Sequence, residues 1–97
     1  ISPNSFAKVK ASTFIYLPEK DIQAELQIQI WDKQGNMLNM KSLPFETRDV
    51  GVSQRKKISL DMNLIKDYDP SKQIRIFIHN PYRKSFMLDD FQVTFLQ

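Results

Sequence analysis

In "AELQIQIW" the apolar residues Ala24, Leu26, Ile28 and Ile30 alternate with Glu25, Gln27, Gln29 and Trp31. A period of two puts the first set on one face of a β-strand and the second on the other. "KKISLDMNL" repeats the pattern, with Ile58, Leu60, Met62 and Leu64 inward and Lys57, Ser59, Asp61 and Asn63 outward. "QIRIFIHN" does so again, with Ile74, Ile76 and Ile78 against Arg75, Phe77 and His79. The last run, "SFMLDDFQVTF", alternates Phe91, Val93 and Phe95 with Gln92, Thr94 and Leu96. "FAKVKASTFIYL" is less regular: Ala7, Val9, Ala11, Ile15 and Leu17 form one frame, yet Phe14 and Tyr16 fall in the other. That irregularity predicts either a bulge or a strand covered on both faces.

Turn residues punctuate these runs. "DKQGN" carries Gly35, able to take positive φ, and predicts a hairpin into "MLNMKSL". Pro18, Pro44, Pro70 and Pro81 are expected mainly between runs, where a missing N–H costs least. Helical signals are confined to "PEKDIQAEL", which predicts at most one turn, and to apolar spacing in "DMNLIKDY". The pattern predicts an all-β chain: an antiparallel β-sandwich of six to eight strands.

Composition narrows this further. At 97 residues, 41% hydrophobic and 26% charged, residues 1–97 are expected to form a single globular domain. No run of roughly 18 apolar residues occurs, so no membrane span is expected within this chain. The start, "ISPNSFAKVK", has neither an initiator Met nor the apolar stretch of a signal peptide, as expected of a processed chain or an excised domain. The absence of cysteine removes disulfides, thiolate metal sites and cysteine nucleophiles. Two glycines, Gly35 and Gly51, cannot build a glycine-rich phosphate loop, and a net charge of +3 does not mark a nucleic-acid binder.

Four chemistries merit weighing. His79 is the sole histidine, without a nucleophile elbow, so the chain is not expected to be an enzyme. Asp67, Asp69 and Ser71 in "DYDPSK" have the opening spacing of a calcium loop. Lys72 and Ile78 then stand where that loop needs Gly and Glu, and the reading fails. Asp89 and Asp90 are adjacent on a predicted strand, so one must face the packed side unless the chain bulges there. A buried carboxylate needs hydrogen-bond donors, an arginine or a cation. The short basic clusters Arg55–Lys57 and Tyr82–Lys84 are interleaved with acidic residues, and no nucleic-acid signature accompanies them. Carbohydrate suits the outward faces better, because an aromatic ring bordered by planar polar groups fits a pyranose. Trp31, Gln29, Phe77, Arg75 and His79 supply that set if their two strands are neighbours.

The stretch "IRIFIHNPYRKSFMLDDFQVTF" resembles the end of jelly-roll modules related to the family 4, 9 and 22 carbohydrate-binding modules, within the galactose-binding-like β-sandwiches. "VKASTFIYLPEKDIQAELQIQIWDKQGN" is similar to their strand, loop and long strand before a glycine turn. The resemblance implies a jelly-roll-like sandwich and a structural calcium held by Asp90, with Asp89 as second choice. The chain departs from that family at "PNSFAK", which stands where an Asn-x-Phe-Glu type strand belongs. The expectation is a noncatalytic accessory domain of a larger bacterial protein, extracellular, periplasmic or envelope-associated. Its expected ligand is a polysaccharide or other glycan; the alternative is a structural or protein-interaction sandwich whose outward aromatics dock on other domains of its parent protein or on a second copy.

Overall fold

The computed structural model describes residues 8–64 and 72–96. Six strands form two antiparallel three-stranded sheets: β1 (Lys8–Tyr16), β2 (Gln23–Trp31), β3 (Met37–Glu46), β4 (Arg55–Asn63), β5 (Gln73–His79) and β6 (Met87–Leu96). The first sheet has the order β4-β1-β6 and the second β3-β2-β5. The chain is thus an all-β, antiparallel β-sandwich. "PNSFA" before Lys8, the triad Asp67, Asp69 and Ser71, and the end of "DMNLIKDY" lie outside the described residues.

The two central strands supply the heart of the core. Val9, Ala11 and Ile15 of β1 face Leu26, Ile28 and Ile30 of β2, all fully buried. Ile58, Leu60 and Met62 of β4 continue this layer and are buried as their alternation predicts. Strand β4 lies over β3 and β2, and Asp61 reaches across to Lys41 of β3 at 3.7 Å. On the other side burial falls away. Ile74, Ile76 and Ile78 of β5 are half-buried, and every residue of β6 is exposed. Register places Val93 opposite Ala11 and Phe95 opposite Val9, so these side chains share the inner face with the core while staying exposed. The apolar row of β4 is buried, that of β5 half-buried and that of β6 exposed.

Local chemistry explains the connections. In the β2–β3 hairpin, Asp32 accepts hydrogen bonds from the N–H groups of Gln34 and Asn36, both at 2.9 Å, and Gly35 takes φ 87°. Pro44 is a correction to the expected spacing: it lies within β3, tolerated because β3 is an edge strand with no neighbour on one side. "PEKDIQAEL" gives a turn with Asp21 at φ 63° rather than a helical turn. Among the described residues the one short helix, α1 (Thr47–Val50), follows β3 instead. Its buried Thr47 hydroxyl accepts from the Ile22 N–H at 3.1 Å and donates to the Glu19 carbonyl at 3.0 Å. One side chain therefore ties the β1–β2 loop to the end of β3.

The irregular first run keeps one inner frame and is also covered at Phe14 on its outer face, while the bulge lies in its partner. Between the pairs Ser12–Gln92 and Phe14–Asp89, β6 has two residues where β1 has one. Asp90 absorbs the extra length at φ 55°, a region aspartate tolerates better than most residues. The fully buried Thr13 hydroxyl donates to the Asp89 carbonyl at 3.0 Å, satisfying a group that the broken ladder leaves over. Phe14 is covered on the outer face by Arg55, whose guanidinium sits 4.0 Å from the ring centre.

Candidate functional site

Strands β2 and β5 are neighbours in register, so their outward rows merge into one surface. Gln29 lies opposite Arg75, Gln27 opposite Phe77, and Glu25 opposite His79. The five residues singled out for a glycan, Trp31, Gln29, Arg75, Phe77 and His79, thus occupy one sheet face. They are not one tight cluster: His79 lies four residues along β5 from Arg75, roughly 13 Å at strand rise.

A ladder of side-chain hydrogen bonds runs along β2. Trp31 Nε1 donates to Gln29 Oε1 at 2.7 Å, Gln29 Nε2 donates to Gln27 Oε1 at 2.9 Å, and Gln27 Nε2 donates to Glu25. Residues two apart on a strand point the same way, which is what makes the ladder possible. It explains how Gln27, flanked by Phe77 and Ser42 on the neighbouring strands, is buried without cost: both ends of its amide are bonded.

Trp31 is half-buried, and Arg75 stacks over it with Cζ 4.3 Å from the ring centroid. Gln73 Oε1 accepts from Arg75 Nε at 3.0 Å and fixes the guanidinium in that pose. A ligand reaching the indole must displace a cation–π contact of about 0.5–1 kcal/mol. Phe77, next along β5, is exposed and carries no such cap among the described contacts. At the far end, His79 and the exposed Tyr82 border an open hollow of about 560 Å³ that also includes Glu25, Pro44 and Glu46.

At the acidic pair the chain does bulge, the alternative to a packed-side carboxylate. The bulge turns both aspartates to solvent. Asp89 pairs with Arg55 at 2.9 Å, and Asp90 accepts from the Gln92 amide at 3.1 Å. Among the described residues no group of three acidic or histidine side chains could hold a metal ion. Calcium takes six to eight oxygen ligands, and an arginine already stands where the cation would be at Asp89. The start of the chain, which the resemblance would pair with these aspartates, lies outside the described residues.

Sequence reasoning did not single out Thr47, the Arg75 cap or the hollow beside Tyr82. Only the Gln-x-Gln-x-Trp spacing announced the ladder. No family model, curated protein or solved structure matches this chain. Among the described residues no helix is long and apolar enough to cross a membrane.

Proposed function

We propose that this chain is a noncatalytic binding module that takes a glycan along the outer face of the β3-β2-β5 sheet. The observation that carries the reading is the in-register pairing of β2 with β5, which sets an exposed aromatic beside amide, guanidinium and imidazole groups. Phe77 offers a bare ring for a pyranose, and Arg75, Gln29 and His79 border it along the same face. Trp31 serves in two ways: it orients Gln29 through its N–H, and it presents a second ring once Arg75 swings aside. Such a site fits an accessory domain of an exported or envelope-associated bacterial protein, where polysaccharide is at hand. Affinity gel electrophoresis against plant, bacterial and host polysaccharides tests it. Retardation by one polymer, relieved by its oligosaccharide and lost in Phe77→Ala with an unchanged circular dichroism spectrum, supports the proposal. No retardation by any polymer sinks it.

A second reading, docking of another polypeptide, is favoured by a separate observation. Leu88, Phe91 and Val93 of β6 are exposed on the inner face, where a sandwich normally keeps its core.

A further inference from the structure

We infer that the glycan carries a carboxylate, as a uronic acid does, and that Arg75 is the group that receives it. This rests on the glycan reading and names its ligand class; neutral polymers tell the failure of the one from the failure of the other.

Arg48 pairs with Glu46 at 2.7 Å and Arg55 with Asp89 at 2.9 Å, so both meet a carboxylate within the chain. Arg75 does not. Among the described residues its partners are the indole of Trp31 and Gln73 Oε1, with no carboxylate within ion-pair distance. The bond to Gln73 uses Nε alone, so the two Nη groups keep four N–H donors in one plane. That planar fork matches the two oxygens of a carboxylate. Trp31 and Gln73 hold it in place before a ligand arrives, which lowers the ordering cost of binding.

The neighbouring groups are donors too. In the β2 ladder Gln29 Oε1 is taken by the Trp31 N–H, and Gln27 Oε1 by the Gln29 amide. Gln29, opposite Arg75 in register, has only the sulfur of Met40 at 3.9 Å as a further acceptor for its N–H groups, and a thioether accepts weakly. Met37 and Met40, opposite Trp31 and Gln29 on the other side, add no charge. The ladder ends at Glu25, four residues along β2 from Gln29, roughly 13 Å at strand rise. That is beyond the Debye length of about 8 Å at physiological ionic strength, so Glu25 does little to repel an anion at Arg75. This end of the face is positive and rich in donors.

A neutral sugar either leaves the guanidinium without an anion or displaces it to reach the indole. An acidic sugar pairs with Arg75 where it stands and leaves the contact with Trp31 intact. The next sugar in the chain then meets the exposed ring of Phe77, two residues or roughly 7 Å along β5.

Affinity electrophoresis through alginate, hyaluronan and polygalacturonate, each beside its methyl ester and beside neutral polysaccharides, tests this. The ester keeps the backbone of the polymer and removes its negative charge. At least one acid form is expected to retard the chain, with a dissociation constant roughly 10- to 100-fold below that of its ester. Arg75→Lys keeps the charge and loses the fork, and should weaken binding of the acid form by about tenfold with an unchanged circular dichroism spectrum. Lys10→Gln removes an exposed charge from the other sheet and should leave the constant as it was. An ester bound as tightly as its acid, or retardation by neutral polymers alone, overturns the inference and leaves the glycan reading standing. Arg75→Lys that binds like the wild type overturns it as well. So does an equal loss in Lys10→Gln, which would reduce the binding to general attraction between a cation and a polyanion. No retardation by any polymer, acidic or neutral, ends the glycan reading and this inference with it. The comparison of acid with ester uses the wild type, so it decides even where Arg75→Lys fails to fold.

Discussion

Strands β4 and β6 both pair with β1, on its two sides, and both turn an apolar row toward the second sheet. Ile58, Leu60 and Met62 of β4 retain 4–7% of their exposure, whereas Phe91, Val93 and Phe95 of β6 retain 40–43%. The patterns are equivalent in kind, and the difference lies in what is across from them. Strand β4 sits over β3 and β2 and is joined to β3 by the Asp61–Lys41 pair; among the described residues β6 makes its main contacts with β1. Alternation therefore reports which face of a strand is apolar, and carries no information about whether a second layer covers it.

The sharpest way to break this contrast is to truncate one residue on each side. Ile28→Ala, at the centre of the closed core, should cost about 2–5 kcal/mol in urea denaturation, while Val93→Ala should cost about 1 kcal/mol or less. Equal costs would mean that the exposed edge is packed in solution. Next in size is Thr47→Val, which keeps the shape of the side chain and removes the hydroxyl that serves Ile22 and Glu19. It should lower stability by about 1–3 kcal/mol by the same measurement, with the loss on the buried side. On the exposed side, Asp90→Val should cost about 1–2 kcal/mol, because a β-branched residue resists positive φ, and Asp90→Gly should be neutral or slightly stabilising. If both behave alike, the bulge relaxes in solution.

The smallest effect concerns Asp32 in the β2–β3 hairpin. Its carboxylate accepts from the Asn36 N–H first and foremost, then from the Asn36 side chain and the N–H groups of Gln34 and Gly35, which together hold its pKa below the ordinary aspartate range. A depressed folded pKa means the stabilisation is present above the unfolded value and is lost as pH falls through the folded one. Melting curves of the wild type and Asp32→Ala should differ modestly at neutral pH and converge in strong acid. A constant gap across that range would show that the hairpin does not depend on the charge.

Much of this architecture was legible because strand periodicity is local. Ala24 to Ile30 and Ile58 to Leu64 needed no partner to declare their faces, and Gly35 declared the hairpin through its φ. The Asp89–Asp90 pair raised a bulge as one option but could not choose it, since a bulge is a mismatch between two strands from opposite ends of the chain. Thr47 was missed for a similar reason: nothing in "ETRDVG" shows that a loop 25 residues earlier needs its hydroxyl. The glycan face was half visible. The residues of each strand could be named, but whether β2 and β5 were neighbours depended on sheet order, and the Arg75 cap on Trp31 depended on rotamers.

Sheet order also bears on how the chain reaches its native state. The β2–β3 hairpin joins residues separated by a short turn, and such hairpins form in about 1–10 μs. Strand β1, by contrast, pairs with β6 from Lys8–Leu96 to Tyr16–Met87, so nearly the whole described chain must be closed into a loop to complete that ladder. Topologies dominated by such distant pairings fold in milliseconds to seconds. During synthesis β1 emerges first and β6 last. In the interval the side of β1 that awaits β6 is itself a bare edge, and Val9, Ala11 and Ile15 depend on the hairpin below for shelter.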